Sequence, residues 1–128
     1  RLHDVMALFL LHDVVALVTY SMHLNKGTTM LKTDEVLEFL RNHRRTLETD
    51  FHIMRIGLIG SFARGEQTEK SDIDLLVEFE PATDDIFEKK IKLRNLLKAS
   101  FDRDVDICRE KYIKPYIKSY LLKEVIYV

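Results

Sequence analysis

The chain has a single cysteine, Cys108, among its 128 residues. That excludes an intramolecular disulfide and fits a reducing compartment, so a cytoplasmic setting is the expectation. Net charge is equally scarce: 20 Lys and Arg against 21 Asp and Glu leave a formal charge of -1. With no basic excess to drive binding to a phosphate backbone, nucleic acid is disfavoured as the direct substrate or main partner. Long apolar runs are missing as well. The stretches 5–11 and 14–20 are split by His12-Asp13, and each falls short of the roughly 20 residues that span a bilayer, so no membrane association is expected. Neither a basic n-region nor a small-residue cleavage site is clear near the start. Length sets the last limit. A chain of 128 residues that is 46% hydrophobic can bury one core but not two, which argues against a separate substrate-recognition domain.

What is present is uneven along the chain. Residues 2–8 are nearly repeated as residues 11–17. Met30 opens a segment that reads like a natural start, so residues 1–29 are expected to be an extension of uncertain origin and residues 30–128 the domain proper. His3, His12 and His23 lack the helical-face spacing that gathers metal ligands. Basic residues cluster at Lys89, Lys90, Lys92, Arg94 and Lys98, and again from Arg109 to Lys123. They form either a solvated helix face or a basic rim for a nucleotide or an acidic partner.

From Thr33, which can cap, the pattern predicts a helix to about residue 49 with Val36, Leu37, Leu40 and Leu47 on one face. Residues 51–59 and 73–79 read as strands, and residues 105–108 as a third. Between the last two, Thr83 is expected to cap a helix over 84–99 with Ile86, Phe87, Leu93, Leu96 and Leu97 as its apolar stripe. Pro115 suits the first turn of a final helix, and residues 125–128 can close as a short strand. The expectation is an α/β domain with a small mixed β-sheet flanked by helices.

The chemistry concentrates in Gly60-Ser61-Phe62-Ala63-Arg64-Gly65 and Ser71-Asp72-Ile73-Asp74. Gly60 follows a strong strand and lets the backbone approach a ligand closely, which suits a phosphate. Ser61 adds a hydroxyl donor, Arg64 a charged fork three residues on, and Gly65 a natural stop. Taken alone this is also the pattern of an ordinary capped turn. Asp72 and Asp74, two apart at a strand start, leave the same face of a sheet. Their mutual repulsion is cancelled if a hard divalent cation sits between them. Asp106 stands between apolar residues in a core-like run, where an unpaired carboxylate is costly. If its strand lies beside residues 73–79, Asp106 joins the pair in a three-carboxylate site able to hold two metal ions. Asp104 competes for that place, but Asp102-Arg103-Asp104 has the character of a charged turn. Cys108 could line the same face, although a small buried apolar role suits it better. Tyr112, Tyr116, Tyr120 and Tyr127 suit core packing or a partner surface.

Gly60-Ser61, ten intervening residues, then Asp72-x-Asp74 closely resembles the motif of the DNA polymerase β-like nucleotidyltransferase superfamily. The short chain, Ala63-Arg64-Gly65 and Lys114-Pro115-Tyr116-Ile117 resemble its minimal (MNT) branch. The resemblance covers roughly residues 30–128. It implies the polymerase β-like fold, with Gly60 and Ser61 holding the nucleoside triphosphate and Asp72 and Asp74 binding Mg²⁺. Asp106 would complete the catalytic and metal-binding carboxylates, while Arg64 and Glu66 would contact phosphate or substrate. It further implies ATP as substrate and, as partner, a HEPN ribonuclease toxin with which the chain forms a hetero-oligomer. Antitoxins of this branch transfer AMP to a toxin tyrosine. The alternatives are an antitoxin that acts by tight binding without catalysis, and transfer to a small molecule such as an antibiotic.

Overall fold

A computed structural model of the chain describes residues 30–128. The near-repeat and His3, His12 and His23 lie outside the described residues.

The expected first helix is two helices, α1 (Thr33–Asn42) and α2 (Arg44–Phe51). His43 interrupts them: its backbone leaves helical geometry at φ -114° and ψ 20°, and its ring Nδ1 lies 2.7 Å from the Phe39 carbonyl oxygen. The predicted apolar face survives the break, since Val36, Leu37, Leu40 and Leu47 are all buried. Thr33 does not cap. The Glu35 carboxylate accepts the Lys32 N–H at 2.8 Å, and the Thr33 hydroxyl donates instead to the Phe62 carbonyl at 2.6 Å. That bond ties α1 to the segment that follows the first strand.

The sheet has four strands, β1 (Ile53–Ile59), β2 (Ile73–Phe79), β3 (Val105–Arg109) and β4 (Ile126–Tyr127), in the order β3-β2-β1-β4. β1 runs antiparallel to β2 and β4, whereas β2 and β3 are parallel. A parallel pair needs a crossover, which the helix Ile86–Phe101 supplies. A short helix, α3 (Gly60–Arg64), precedes β2; the crossover helix is therefore α4, and α5 (Pro115–Leu121) follows a 3₁₀ turn at Glu110–Tyr112. The mixed sheet flanked by helices matches the fold class expected from the sequence.

Strand alternation divides the sheet sharply. Ile56, Leu58, Ile73, Leu75, Val77, Val105 and Ile107 form one face and join Val36, Leu40, Phe51, Leu93 and Leu97 in the core. Each such buried aliphatic contributes about 1.5–3 kcal/mol relative to its exposed form. Gly57, Ile59, Asp74, Leu76, Asp106 and Cys108 fall on the opposite face, as their paired register requires.

Two expectations for α4 change. It begins at Ile86 behind Asp85, a left-handed residue at φ 55°, because the Thr83 hydroxyl turns back to the Glu80 carbonyl at 2.5 Å and does not cap. Leu93 and Leu97 are buried, but Phe87 is 75% exposed. It sits one residue past Ile86, about 100° round the helix, where the apolar stripe has already turned from the core. On α5 no residue is buried, and Tyr112, Tyr116 and Tyr120 are exposed, which rules out core packing for them. Tyr127 is different: its hydroxyl donates to Glu110 at 3.2 Å.

Candidate active site

β1 ends at Ile59 and the chain enters α3 through Gly60 at φ +76°, a left-handed conformation that an L side chain resists. A Cβ at Gly60 would also lie 2.5 Å from Asp74 Oδ2. Glycine is therefore required here twice over, once for the turn and once so that the backbone can press against the carboxylate. α3 stops at Gly65, again left-handed at φ +71°, as the sequence predicted. The Ser61 hydroxyl makes no hydrogen bond among the described residues and is free for a ligand.

Asp72 precedes β2, and Asp74 lies on it opposite Ile59 of β1 and Asp106 of β3. Parallel register thus sets Asp74 and Asp106 side by side on the same face. Burial pushes the Asp74 carboxyl above the usual carboxylate range, and the charges of Asp106 and then Asp72 push it further; Arg64 pulls the other way. The expectation that Asp106 is buried does not hold, since it is exposed while Val105 and Ile107 turn into the core. Asp104 is engaged elsewhere. Its carboxylate pairs with Lys98 Nζ at 3.1 Å and its carbonyl accepts the Ile73 N–H at 2.9 Å.

Like-charged carboxylates do not converge unaided, and among the described residues no three His, Cys, Asp or Glu side chains close into a ready cation cage. The donor set nevertheless suits Mg²⁺. Asp74 and Asp106 offer carboxylate oxygens from one face of the sheet and Asp72 another from just before β2, and Asp72 and Asp74 accept no hydrogen bond or ion pair among the described residues. Cys108 also lies on this face, half-buried, with Sγ 3.8 Å from Asp106 Oδ2. Burial and the two aspartates push its thiol up, which disfavours a thiolate nucleophile.

Arg64 is held between two carboxylates: Nε donates to Glu66 at 2.9 Å and Nη1 to Glu124 at 3.0 Å. Glu124 was not singled out by any sequence pattern. It precedes β4 and reaches back 64 residues to accept the Gly60 N–H at 2.7 Å. Beside Asp106, between α4 and β3, a cleft of about 280 Å³ is lined by Phe87, Lys90, Ile91, Arg94, Asp106 and Ile107. The first basic cluster thus contributes two cations to the rim of the acidic face. Among the described residues no helix is long and apolar enough to cross a membrane.

The chain as a whole is similar to known proteins. A family model described as the nucleotidyltransferase domain matches residues 40–128. The chain is 36% identical over 99 residues to the protein adenylyltransferase MntA of Thermococcus cleftensis, covering 77% of this chain and 98% of that protein. It is 38% identical over 100 residues to a Methanocaldococcus jannaschii protein described as a candidate protein adenylyltransferase, covering 77% of this chain and all of the relative, 100%. Among solved structures it resembles a candidate minimal nucleotidyltransferase at 30% identity and TM-score 0.63, over 77% of this chain and 98% of that one. A toxin-antitoxin crystal structure with AMP-PNP shares the fold at 23% identity and TM-score 0.53, over 76% of this chain and 72% of that one. The chain belongs to the nucleotidyltransferase domain family.

Proposed function

We propose that this nucleotidyltransferase is an antitoxin that transfers AMP from ATP to a tyrosine hydroxyl of a partner HEPN ribonuclease toxin, and so silences it. The observation that carries the catalytic half is the Asp74–Asp106 register, with Gly60 packed on Asp74. It brings a close-approach backbone turn and paired carboxylates to one face. Transfer to a protein acceptor is supported by a relative named protein adenylyltransferase MntA.

In this reading Gly60, Ser61 and Arg64 receive the triphosphate, the hydroxyl of Ser61 and the guanidinium of Arg64 donating to its oxygens. Asp72, Asp74 and Asp106 would hold Mg²⁺ through their carboxylate oxygens. When bound, Mg²⁺ supplies charge neutralisation for the polyphosphate and for the charge that develops on transfer. Asp106, exposed on β3, takes the proton of the incoming hydroxyl. The hydroxyl oxygen forms a bond to the α-phosphorus as the bond from that phosphorus to the bridging oxygen breaks, and pyrophosphate leaves. The cleft beside Asp106, of about 280 Å³, offers room for part of an acceptor.

The test is to incubate the protein with labelled ATP, Mg²⁺ and the product of the neighbouring gene and to read intact masses, with the Asp72→Ala/Asp74→Ala double variant as control. Mass increments of one or more AMP units on the partner, absent with the variant, support the proposal. The exposed Tyr112, Tyr116 and Tyr120 favour a second reading, an antitoxin that acts by occlusion. Silencing of the partner without ATP and without a mass change would select it.

A further inference from the structure

We propose that Glu124 is a positioning residue of the nucleotide site, acting through Gly60 and Arg64 without touching the reacting atoms. The inference rests on the nucleotide-binding half of the function above and is independent of the identity of the acceptor.

Glu124 is largely buried, its side chain only 13% exposed, and both carboxylate oxygens are used. Oε2 accepts the Gly60 N–H at 2.7 Å and Oε1 accepts Arg64 Nη1 at 3.0 Å. One side chain therefore joins the first and last residues of α3, the turn that carries Ser61. Because Gly60 has no Cβ and lies against Asp74, fixing its N–H also fixes the separation between that turn and the carboxylate face. Arg64 is oriented by the same carboxylate: with Nε given to Glu66 and one Nη1 N–H to Glu124, both N–H groups of Nη2 and the second of Nη1 are left to donate.

The clamp is itself well anchored. The Glu124 N–H donates to the Leu121 carbonyl at 3.0 Å, and β4 pairs with β1 through Gly57–Tyr127 and Leu58–Ile126. Gly57 makes this possible, since a Cβ there would stand 2.5 Å from Val125 Cγ2. A partly buried carboxylate with two donors and a fixed backbone is a rigid strut. The opposite role, an anionic stand-in that triphosphate must displace, would require both bonds to break on binding.

The experiment compares wild type with Glu124→Ala, Glu124→Gln, Arg64→Ala and the Glu124→Ala/Arg64→Ala double variant. It measures calorimetric affinity for AMP-PNP with Mg²⁺, hydrogen exchange at the Gly60 amide, and thermal melting. Glu124→Ala is expected to weaken AMP-PNP about tenfold or more and to deprotect the Gly60 amide. Glu124→Gln, which keeps an oxygen acceptor for Gly60, is expected to recover the amide protection and most of the affinity. The double variant is expected to bind AMP-PNP less weakly than the product of the two single losses, because the residues act as one unit. Unchanged affinity in both Glu124 variants would overturn the proposal, and tighter binding would establish the displaced stand-in in its place. If Glu124→Ala does not fold, the Glu124→Gln affinity and amide exchange decide alone. Loss of AMP-PNP binding by wild type would instead strike the nucleotide reading itself.

Discussion

Asp74 and Asp106 are register partners on adjacent parallel strands, on the sheet face away from the hydrophobic core. The pairing forces two like charges together where burial already disfavours ionisation, and the Asp74 carboxyl rises above its ordinary value of 3.8. A carboxyl raised in the folded state binds its proton more tightly there than in the unfolded chain. Its contribution to stability is then complete below the unfolded value and is lost as pH rises through the folded one. Without divalent cations, Asp74→Asn should therefore melt higher than wild type at neutral pH. The gap should close as pH falls to about 4, which melting curves across pH would read. The same variant should lose nucleotidyl transfer by about 10²- to 10³-fold or more, the scale of removing one preorganised electrostatic group.

Gly60 and Gly65 are both left-handed, but only Gly60 has a neighbour where a Cβ would go. Gly65→Ala should cost about 1–2 kcal/mol of backbone strain and leave ATP-analogue affinity nearly unchanged. Gly60→Ala should carry the same strain plus a clash with Asp74, about 2–4 kcal/mol in total, and lose AMP-PNP binding. Urea denaturation and calorimetry would separate the two.

Asp104 and Asp106 are two residues apart but differ in partner. Asp104→Asn should cost at most about 1 kcal/mol, since its ion pair with Lys98 is exposed, and should keep activity within a few-fold. Asp106→Asn should abolish transfer while melting normally. Equal activity in the two variants would overturn the assignment of the third carboxylate.

Cys108 offers a probe of the same face. Its raised thiol should alkylate slowly with iodoacetamide at pH 8, where a free thiol reacts readily. Asp106→Asn removes a nearby negative charge and should speed the reaction several-fold. An unchanged rate would mean that burial alone controls the thiol.

The reading of the sequence succeeded where structure is local. β2 matched its predicted bounds, and the placement of Asp106 beside Asp74 was legible because each carboxylate, a poor strand former, stands between apolar residues of its strand. It failed where a side chain acts at long range. Thr33 was expected to cap its own helix but bonds Phe62, 29 residues away, and Glu124 meets Gly60 across 64 residues with no motif to announce it. The break at His43 was hidden for a third reason: neither Gly nor Pro marks it, and the apolar spacing continues through it into α2. Phe87 was misplaced because α4 is amphipathic over a narrower arc than its apolar composition implies.

The division of the sheet into two faces has a consequence for how such a chain can change over generations. The residues that hold the domain together point to one side, and the paired carboxylates Asp74 and Asp106, proposed here to serve the reaction, point to the other. A substitution at the rim beside Asp106 leaves the packing of Leu75, Leu93 and Ile107 untouched. If the proposed acceptor docks at that rim, its identity can drift from one molecule to another while the scaffold stays in place.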